Sequence, residues 1–405
     1  MKPGKVFSHV GQAFPGGAYD YVIVGGGRLG LAVAFYLRRA IPEARVLIVE
    51  QSGIPSEGGA LLHARGVWHS ADLPPGKLAQ ATWARQVWQD PEAETGTRRP
   101  HDPRFQPVGW ARALNVASED TEDHFHGEGL ALLEPQAFLS KFSPDAREQL
   151  GTLLDWSRIG AVQFDAQGGY GSATSLALSY GYGAVRLGAD LLLNTEARLH
   201  PGAVELRRLD ITPRMEVVVA QTLRVPCAHL IVAAGSEGPA LLESDLGLVC
   251  PHGRAYAQFP RLELPPAAGI PVISRAGFTV RSGEGGFRVL PAAAPGGDPP
   301  EYQPCGGRLT GVPVGVRREI LDELLLSLPD WPAFEGGALN LGKTVVDVPG
   351  GWEARPRGGW PLWRHVADNV TLLLGGLESD RLGLPTALDL AYELAGIAGR
   401  PWHDV

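Results

Sequence analysis

Apolar residues in this chain gather into short runs separated by stretches of helical spacing, and the clearest alternation lies early. Asp20-Tyr21-Val22-Ile23-Val24 opens into Gly25-Gly26-Gly27, the pattern of a buried strand ending in a turn. Leu29, Val33, Phe35, Tyr36 and Leu37 then recur at helical spacing, and Arg38 and Arg39 close the helix at its C-terminal end. Arg45 to Glu50 repeats the strand pattern, so the stretch from about Asp20 to Glu50 is predicted to be a βαβ unit. Ser172 to Leu187 predicts a helix. Strands are predicted at Leu191 to Asn194, Val204 to Arg207, Met215 to Ala220, Leu223 to Val225 and Leu230 to Val232, the last ending in Ala233-Ala234-Gly235. Arg317 to Leu328 predicts a helix and Val370 to Leu374 a strand. A closing helix is predicted from Pro385 to Ala398, because a proline is tolerated in the first turn, where its missing N–H has no partner to lose. Residues 90–107 and 291–307 read as exposed loops, and no internal repeat is visible.

Length adds a second core: 405 residues exceed one ordinary domain. Gly and Pro number 53 and 34, which fits a globular chain with many tight turns. The net charge of −8 gives no general attraction to nucleic acid or to an anionic membrane, so any cationic site must be local. Cys227, Cys250 and Cys305 lie far apart, which argues against a disulfide framework and fits a reducing compartment. Met1 to Gly17 lacks the apolar stretch of a signal peptide and no run of about 18 apolar residues occurs, so a cytoplasmic protein without a membrane span is expected.

Chemistry enters with Gly25-x-Gly27-x-x-Gly30 set between strand and helix, and Glu50 following Gly30 by 20 residues. Gly25 permits the tight turn, Gly27 lets the backbone approach a pyrophosphate, and Gly30 lets helix and strand pack closely. The helix N-terminus offers free N–H donors, and Glu50 can accept from ribose hydroxyls. An NAD-binding domain would continue in regular strand–helix alternation, whereas Pro-, Gly- and His-containing loop follows Glu50 and the next Gly-terminated strand returns only near Gly235. Dispersed segments of this kind suit an extended FAD.

From about Tyr19 to Arg400 the chain resembles the D-amino-acid oxidase and glycine oxidase family of FAD enzymes. Beyond the opening motif, Ser56-Glu-Gly-Gly59-Ala60-Leu-Leu-His63 resembles the family's Ser-x-x-x-Gly loop beside the flavin. Tyr182 to Asp190 is similar to the segment leading to the adenine, which places Ala197 where the family carries a Val contacting adenine. His229 to Gly235 resembles the family's strand ending at the dinucleotide. Trp352-Glu-Ala-Arg355-Pro356 with Gly359-Trp-Pro361 resembles Gly-x-Arg-Pro…Asp-Gly-x-Pro. Val370 to Gly376 with Arg381-Leu382-Gly383-Leu384 matches the strand, loop and helix that meet the flavin pyrimidine. This chain departs from the family at Gly358, which replaces the Asp, at the longer acidic loop 376–383, and at Phe278, where glycine oxidases carry a Tyr.

The resemblance implies an α/β protein: a discontinuous Rossmann-type FAD-binding domain (18–75, 156–245, 340–405) and a mixed-sheet α+β substrate domain (76–155, 246–339). FAD would be held without a covalent bond, since no Cys falls in the C-terminal loops. The expected cofactor contacts are Gly25, Gly27, Arg28, Leu29, Gly30, Glu50, Gln51, Ser56, Gly59, Ala60, Ala197, Ala234, Gly235, Gly376, Arg381, Leu382, Gly383 and Leu384. Arg355 and Arg381 are expected to clamp a substrate carboxylate, because the planar guanidinium meets it bidentately, with His63 and Arg65 beside the flavin. The implied reaction oxidises a C–N bond of an amino acid or related amine by hydride transfer to flavin N5, with dioxygen or another acceptor taking the electrons. A hydroxy-acid dehydrogenase would use the same clamp, and the altered 376–383 loop also suits a flavin-binding protein without efficient turnover. Asp123, His124 and His126 read as solvated loop and not as a metal site.

Overall fold

The computed structural model describes residues 2–8, 12–56, 59–97, 105–115, 129–292, 316–335, 338–341 and 350–403. The predicted βαβ unit forms from strand Tyr19–Val24, helix Arg28–Ala40 and strand Val46–Val49, all four residues of the last being buried. They lie inside a parallel sheet ordered Val6–Phe7, Asp190–Leu192, Val46–Val49, Tyr19–Val24, Val217–Val232 and Val370–Leu374. Strand Leu362–Ala367 adds antiparallel to the last of these. Strands buried on both faces must be apolar at every position, which is why their sequences read as continuous runs. Helices Arg28–Ala40, Ala173–Arg186 and Ser379–Leu394 cover one face through Leu31, Phe35, Tyr180 and Leu388. On the other face an antiparallel meander and helix Gly238–Leu246 bury Val22, Leu47, Val204 and Leu242.

The second sheet has eight strands, in the order Leu339–Asn340, Arg261–Leu262, Gly286–Pro291, Phe278–Gly283, Val272–Arg275, Trp110–Asn115, Ile159–Asp165 and Leu130–Leu133. It is mixed because Val272–Arg275 runs parallel to Trp110–Asn115 while the other pairs are antiparallel. Helices Pro144–Leu153 and Arg318–Ser327 cover it through Leu150, Leu153, Ile320 and Leu324. Between the two sheets, Gly253–Gln258 pairs with Gly350–Arg355 as a separate ribbon.

Several expectations change. Strand Ile159–Asp165 belongs to the second sheet, past the boundary expected at 156, and helix Pro75–Gln89 buries Trp83 and Trp88 in the core of the first. The pieces expected at Met215 to Ala220, Leu223 to Val225 and Leu230 to Val232 are one strand, Val217–Val232. Strand Thr195–His200 was not anticipated. A short helix, Pro91–Thr95, interrupts the loop expected at 90–107. The last helix runs Ser379–Leu394, so Pro385 sits in its second turn and not its first. Residues 98–104 and 293–307 of the expected loops, with Asp123, His124 and His126, lie outside the described residues.

Candidate functional site

At the glycine turn the backbone conformation accounts for the sequence. Gly25 has φ +116°, and a Cβ there would lie 2.4 Å from the Ala233 carbonyl oxygen; a Cβ on Gly30 would lie 2.1 Å from the Gly25 oxygen. Both glycines are demanded by close approach of chain to chain. Gly27 differs: nothing lies within 4 Å of its added Cβ, so no contact within the described chain requires glycine there and the space beside it is open. Helix Arg28–Ala40 starts at Gly27 with no side-chain cap and no acid in its first turn. Its unpaired N–H groups and partial positive charge therefore fit a pyrophosphate.

Glu50, buried at the end of its strand, accepts from Gly26 N at 2.7 Å through Oε2 and from Ser52 N at 3.1 Å through Oε1. It thereby locks the turn while keeping acceptor capacity for a ribose. Thr195 N donates to the Glu50 carbonyl at 3.0 Å, which brings strand Thr195–His200, and Ala197 within it, to the same end of the sheet. Ala234 and Gly235, with φ +56°, follow the strand whose Ala233 touches Gly25. Gln51 and Ala60 are exposed, and Gly59 N donates to the Ser56 carbonyl at 3.2 Å. These residues fit a dinucleotide lying along the ends of the parallel strands.

A buried junction joins this cradle to the loop after Val370–Leu374. Arg28 Nη1 donates to Asp380 Oδ1 at 2.6 Å, Gly66 N donates to Oδ2 at 2.7 Å, and Trp88 Nε1 donates to the Asp380 carbonyl at 2.8 Å. Leu29 packs against the positions of Gly375 and Gly383, while Gly376, at φ +153°, passes close to the Gly359 carbonyl. Because the helix begins at Ser379, Leu382, Gly383 and Leu384 lie within it and not in a loop. Leu382 N donates to the Glu378 carbonyl at 2.9 Å, and the side chains of Leu382 and Leu384 are core.

Beside this junction lies a cavity of about 480 Å³. Its wall includes Trp110 and Phe278 from the second sheet, Arg65 and His69 from the loop after Gly59, and Glu378 and Arg381. Phe278 is buried against Phe334. Most of its charges are already matched: Arg112 with Asp72, Arg275 with Asp330 at 2.6 Å, Arg381 with Glu378, and Asp380 with Arg28. Arg381 also donates to the Ala71 carbonyl at 2.5 Å and is 4% exposed, so its charge is spent inside the protein.

Arg65 is different. Its Nη1 reaches the Pro291 carbonyl at 2.5 Å, but buried Nε and Nη2 have no hydrogen-bond partner among the described residues. Glu353 Oε1 is 3.9 Å from Arg65 Nε, and Glu353 Oε2 is 3.2 Å from Arg355 Nη2, giving an Arg–Glu–Arg row with one positive charge in excess. Burial lowers the Arg355 pKa, which Glu353 partly restores and Arg65 lowers again. Arg355 is not among the residues lining the cavity; it is ion-paired with Glu353, and its buried Nε and Nη2 also have no hydrogen-bond partner among the described residues. His63 lies against the same strand, its Cδ2 3.2 Å from the position of a Cβ on Gly351. Burial, then neighbouring Arg288, brings Arg281 down to about 10 as its Nε donates to the Arg65 carbonyl at 2.6 Å.

His69, Glu353 and the Arg112–Asp72 pair carried no local signal in the sequence. Arg65 is expected beside the flavin from the resemblance, but its partner Glu353, like the Arg381 that meets His69, lies hundreds of residues away. His69 stacks on Trp110 with ring centroids 4.1 Å apart and 9° between planes. Burial, reinforced by Arg381 and Arg112, pushes its pKa well below the usual imidazole value.

The fold is shared with solved structures of low sequence identity. The chain is similar to glycine oxidase from Geobacillus kaustophilus, at 18% identity over 95% of this chain and 96% of that one, with TM-score 0.67. It is similar to L-amino acid deaminase from Proteus vulgaris, at 14% identity over 97% of each chain, with TM-score 0.69. It is also similar to L-proline dehydrogenase from P. horikoshii, at 14% identity over 96% of each, with TM-score 0.63. No curated protein sequence matches it. No helix among the described residues is long and apolar enough to cross a membrane. The sequence model of the FAD-dependent oxidoreductases called DAO matches residues 20–376, the stretch that holds the glycine turn, Glu50, the cavity loop and strand Val370–Leu374. The chain belongs to this DAO family of FAD-dependent oxidoreductases.

Proposed function

We propose that the enzyme oxidises the C–N bond of a small amino acid or N-substituted amino acid, and that Arg65 holds the substrate carboxylate. The observation that carries this reading is that Arg65 lines a cavity whose other arginines are each paired with a carboxylate, while Arg65 has only a share of Glu353, 3.9 Å away, and two nitrogens without a hydrogen bond. A buried donor left unmade costs about 1–3 kcal/mol, more when charged, which favours a turn of the guanidinium toward a carboxylate bound in the cavity. Arg355 then shares Glu353 with Arg65 and raises the positive potential without touching the substrate.

FAD, when bound, would supply the two-electron acceptor for the substrate's hydride. The chain supplies the rest. The Gly25–Gly30 turn and Glu50 hold the dinucleotide, Arg65 fixes one end of the substrate, and Trp110 and Phe278 give the cavity an apolar side for the reacting carbon. Dioxygen or another acceptor must remove the electrons afterwards. Flavin bleaching without oxygen, over a panel of amino acids, amines lacking a carboxylate and hydroxy acids, tests the proposal. Bleaching by amino acids, with KM raised at least tenfold in Arg65→Ala, is the expected outcome. Bleaching by hydroxy acids alone, or amine oxidation indifferent to Arg65, would overturn it.

A further inference from the structure

His69 occupies the cavity wall between Arg381 and Trp110. Arg381 Nη1 lies 3.4 Å from His69 Nδ1 and 3.3 Å from its carbonyl oxygen. A guanidinium has no lone pair to offer, so in this long contact, one of three that share the two Nη1 hydrogens, Nδ1 is the acceptor and the proton of the neutral ring is assigned to Nε2. No described residue takes a hydrogen bond from Nε2, and the side chain lines the cavity. Trp110 stacks on the face of the ring and fixes its plane, and the Arg381 contact selects the orientation within that plane. The charged groups facing it are Arg381 and Arg112, while the nearby carboxylates Glu378 and Asp72 are engaged by those two arginines.

From this geometry we infer that His69 is a substrate-binding residue, offering a neutral Nε2–H to a carboxylate oxygen of the substrate, and that Arg381 is the positioning residue that fixes its tautomer. The inference rests on the amino-acid reading of the cavity and deepens it. Arg381, with its charge already balanced, acts on the substrate through the imidazole. A neutral donor recognises oxygen without adding a second charge to the cavity beside Arg65, which favours a single carboxylate over a dicarboxylate at this position. Cationic neighbours and burial both disfavour imidazolium, so the donor persists unchanged across the physiological pH range.

The test uses FAD-loaded protein and benzoate as the carboxylate probe, with binding followed by the shift in the flavin absorption spectrum. His69→Phe keeps the stack and removes the donor; the benzoate Kd should rise about 10- to 100-fold, the range for a hydrogen bond to a charged group. His69→Gln should recover part of the loss. In ¹⁵N-histidine spectra, with the signal assigned by its absence from His69→Gln, wild type should show the Nε2–H tautomer from pH 5 to 8. Arg381→Gln should mix the tautomers, and Arg381→Lys should restore a single one. Benzoate binding that depends on Arg65 but is unchanged in His69→Phe overturns the role of His69 and leaves the amino-acid reading standing. Failure of wild type to bind benzoate overturns both. An imidazolium or Nδ1–H signal overturns the tautomer assignment and the inference with it.

Discussion

Removing the Asp380 carboxylate tests whether the cofactor cradle and the cavity are one mechanical unit. The carboxylate receives Arg28 from the first turn of the nucleotide-binding helix and Gly66 N from the cavity loop, with both charged side chains under 10% exposed. Asp380→Ala strands a buried guanidinium and leaves a buried N–H unpaired, a loss of about 3–5 kcal/mol when one member of a buried ion pair is deleted. That is roughly a hundred- to several-thousand-fold in the folding equilibrium. Urea unfolding of the apo and FAD-loaded proteins, followed by tryptophan and flavin fluorescence, should show a lower midpoint in both. The FAD-loaded form should lose more, because Arg28 is the residue next to Gly27. Asp380→Asn keeps an acceptor oxygen and should lose less. Arg28→Met combined with Asp380→Ala should cost less than the two single losses added, by about 0.5–3 kcal/mol. A loss below about 1 kcal/mol for Asp380→Ala, additive with Arg28→Met, would put the pair in the class of exposed ion pairs and refute the reasoning.

Gly27→Ala should leave the apo protein as stable as wild type yet raise the FAD Kd at least tenfold in a fluorescence titration, since the added methyl meets nothing but the cofactor; Gly30→Ala should destabilise the apo protein, because its methyl meets the Gly25 oxygen. Glu50→Ala should raise the FAD Kd about 10- to 100-fold, from roughly 1.5–3 kcal/mol of charge-assisted hydrogen bonding; unchanged affinity would remove Glu50 from the ribose. His229, which shares the Thr371 hydroxyl with His365 at 2.8 Å, is lowered to about 4 by burial first and by His365 second. Between its unfolded value of 6.5 and that value the unfolded chain holds the extra proton, so stability should fall as pH drops from 6.5 toward 4. His229→Gln should flatten that limb of the denaturation midpoint against pH.

Local pattern carried the sequence reading where burial on both faces forces apolar runs, as at Val46–Val49 and Val370–Leu374, and where steric contact demands glycine, as at Gly25 and Gly30. It missed strand Thr195–His200 because the buried face there is Thr195, Ala197 and Leu199, too mixed to stand out. It cut Val217–Val232 into pieces because Gln221, Thr222 and Pro226 break the run, although the outer part is exposed and tolerates them. The start of the last helix was hidden by Pro385 and by the charges of Glu378, Asp380 and Arg381. Those charges suggest a solvated loop until Arg28 and the cavity loop arrive to pair with them. The pairing of Arg65 with Glu353 and of His69 with Arg381 joins segments far apart in the chain, which no local window contains.

The parallel sheet interleaves segments made at very different times. Tyr19–Val24 is hydrogen-bonded to Val217–Val232, which is hydrogen-bonded on to Val370–Leu374, and the Arg28–Asp380 contact spans 352 residues. At a ribosomal pace of about 5–20 residues per second, roughly 18–70 s separate the synthesis of the glycine turn from that of its carboxylate partner. During that interval an uncapped helix end and a half-built sheet edge stand open to other chains. A nascent-chain series stalled before and after Asp380 would show flavin capture beginning only once the later segment has left the exit tunnel.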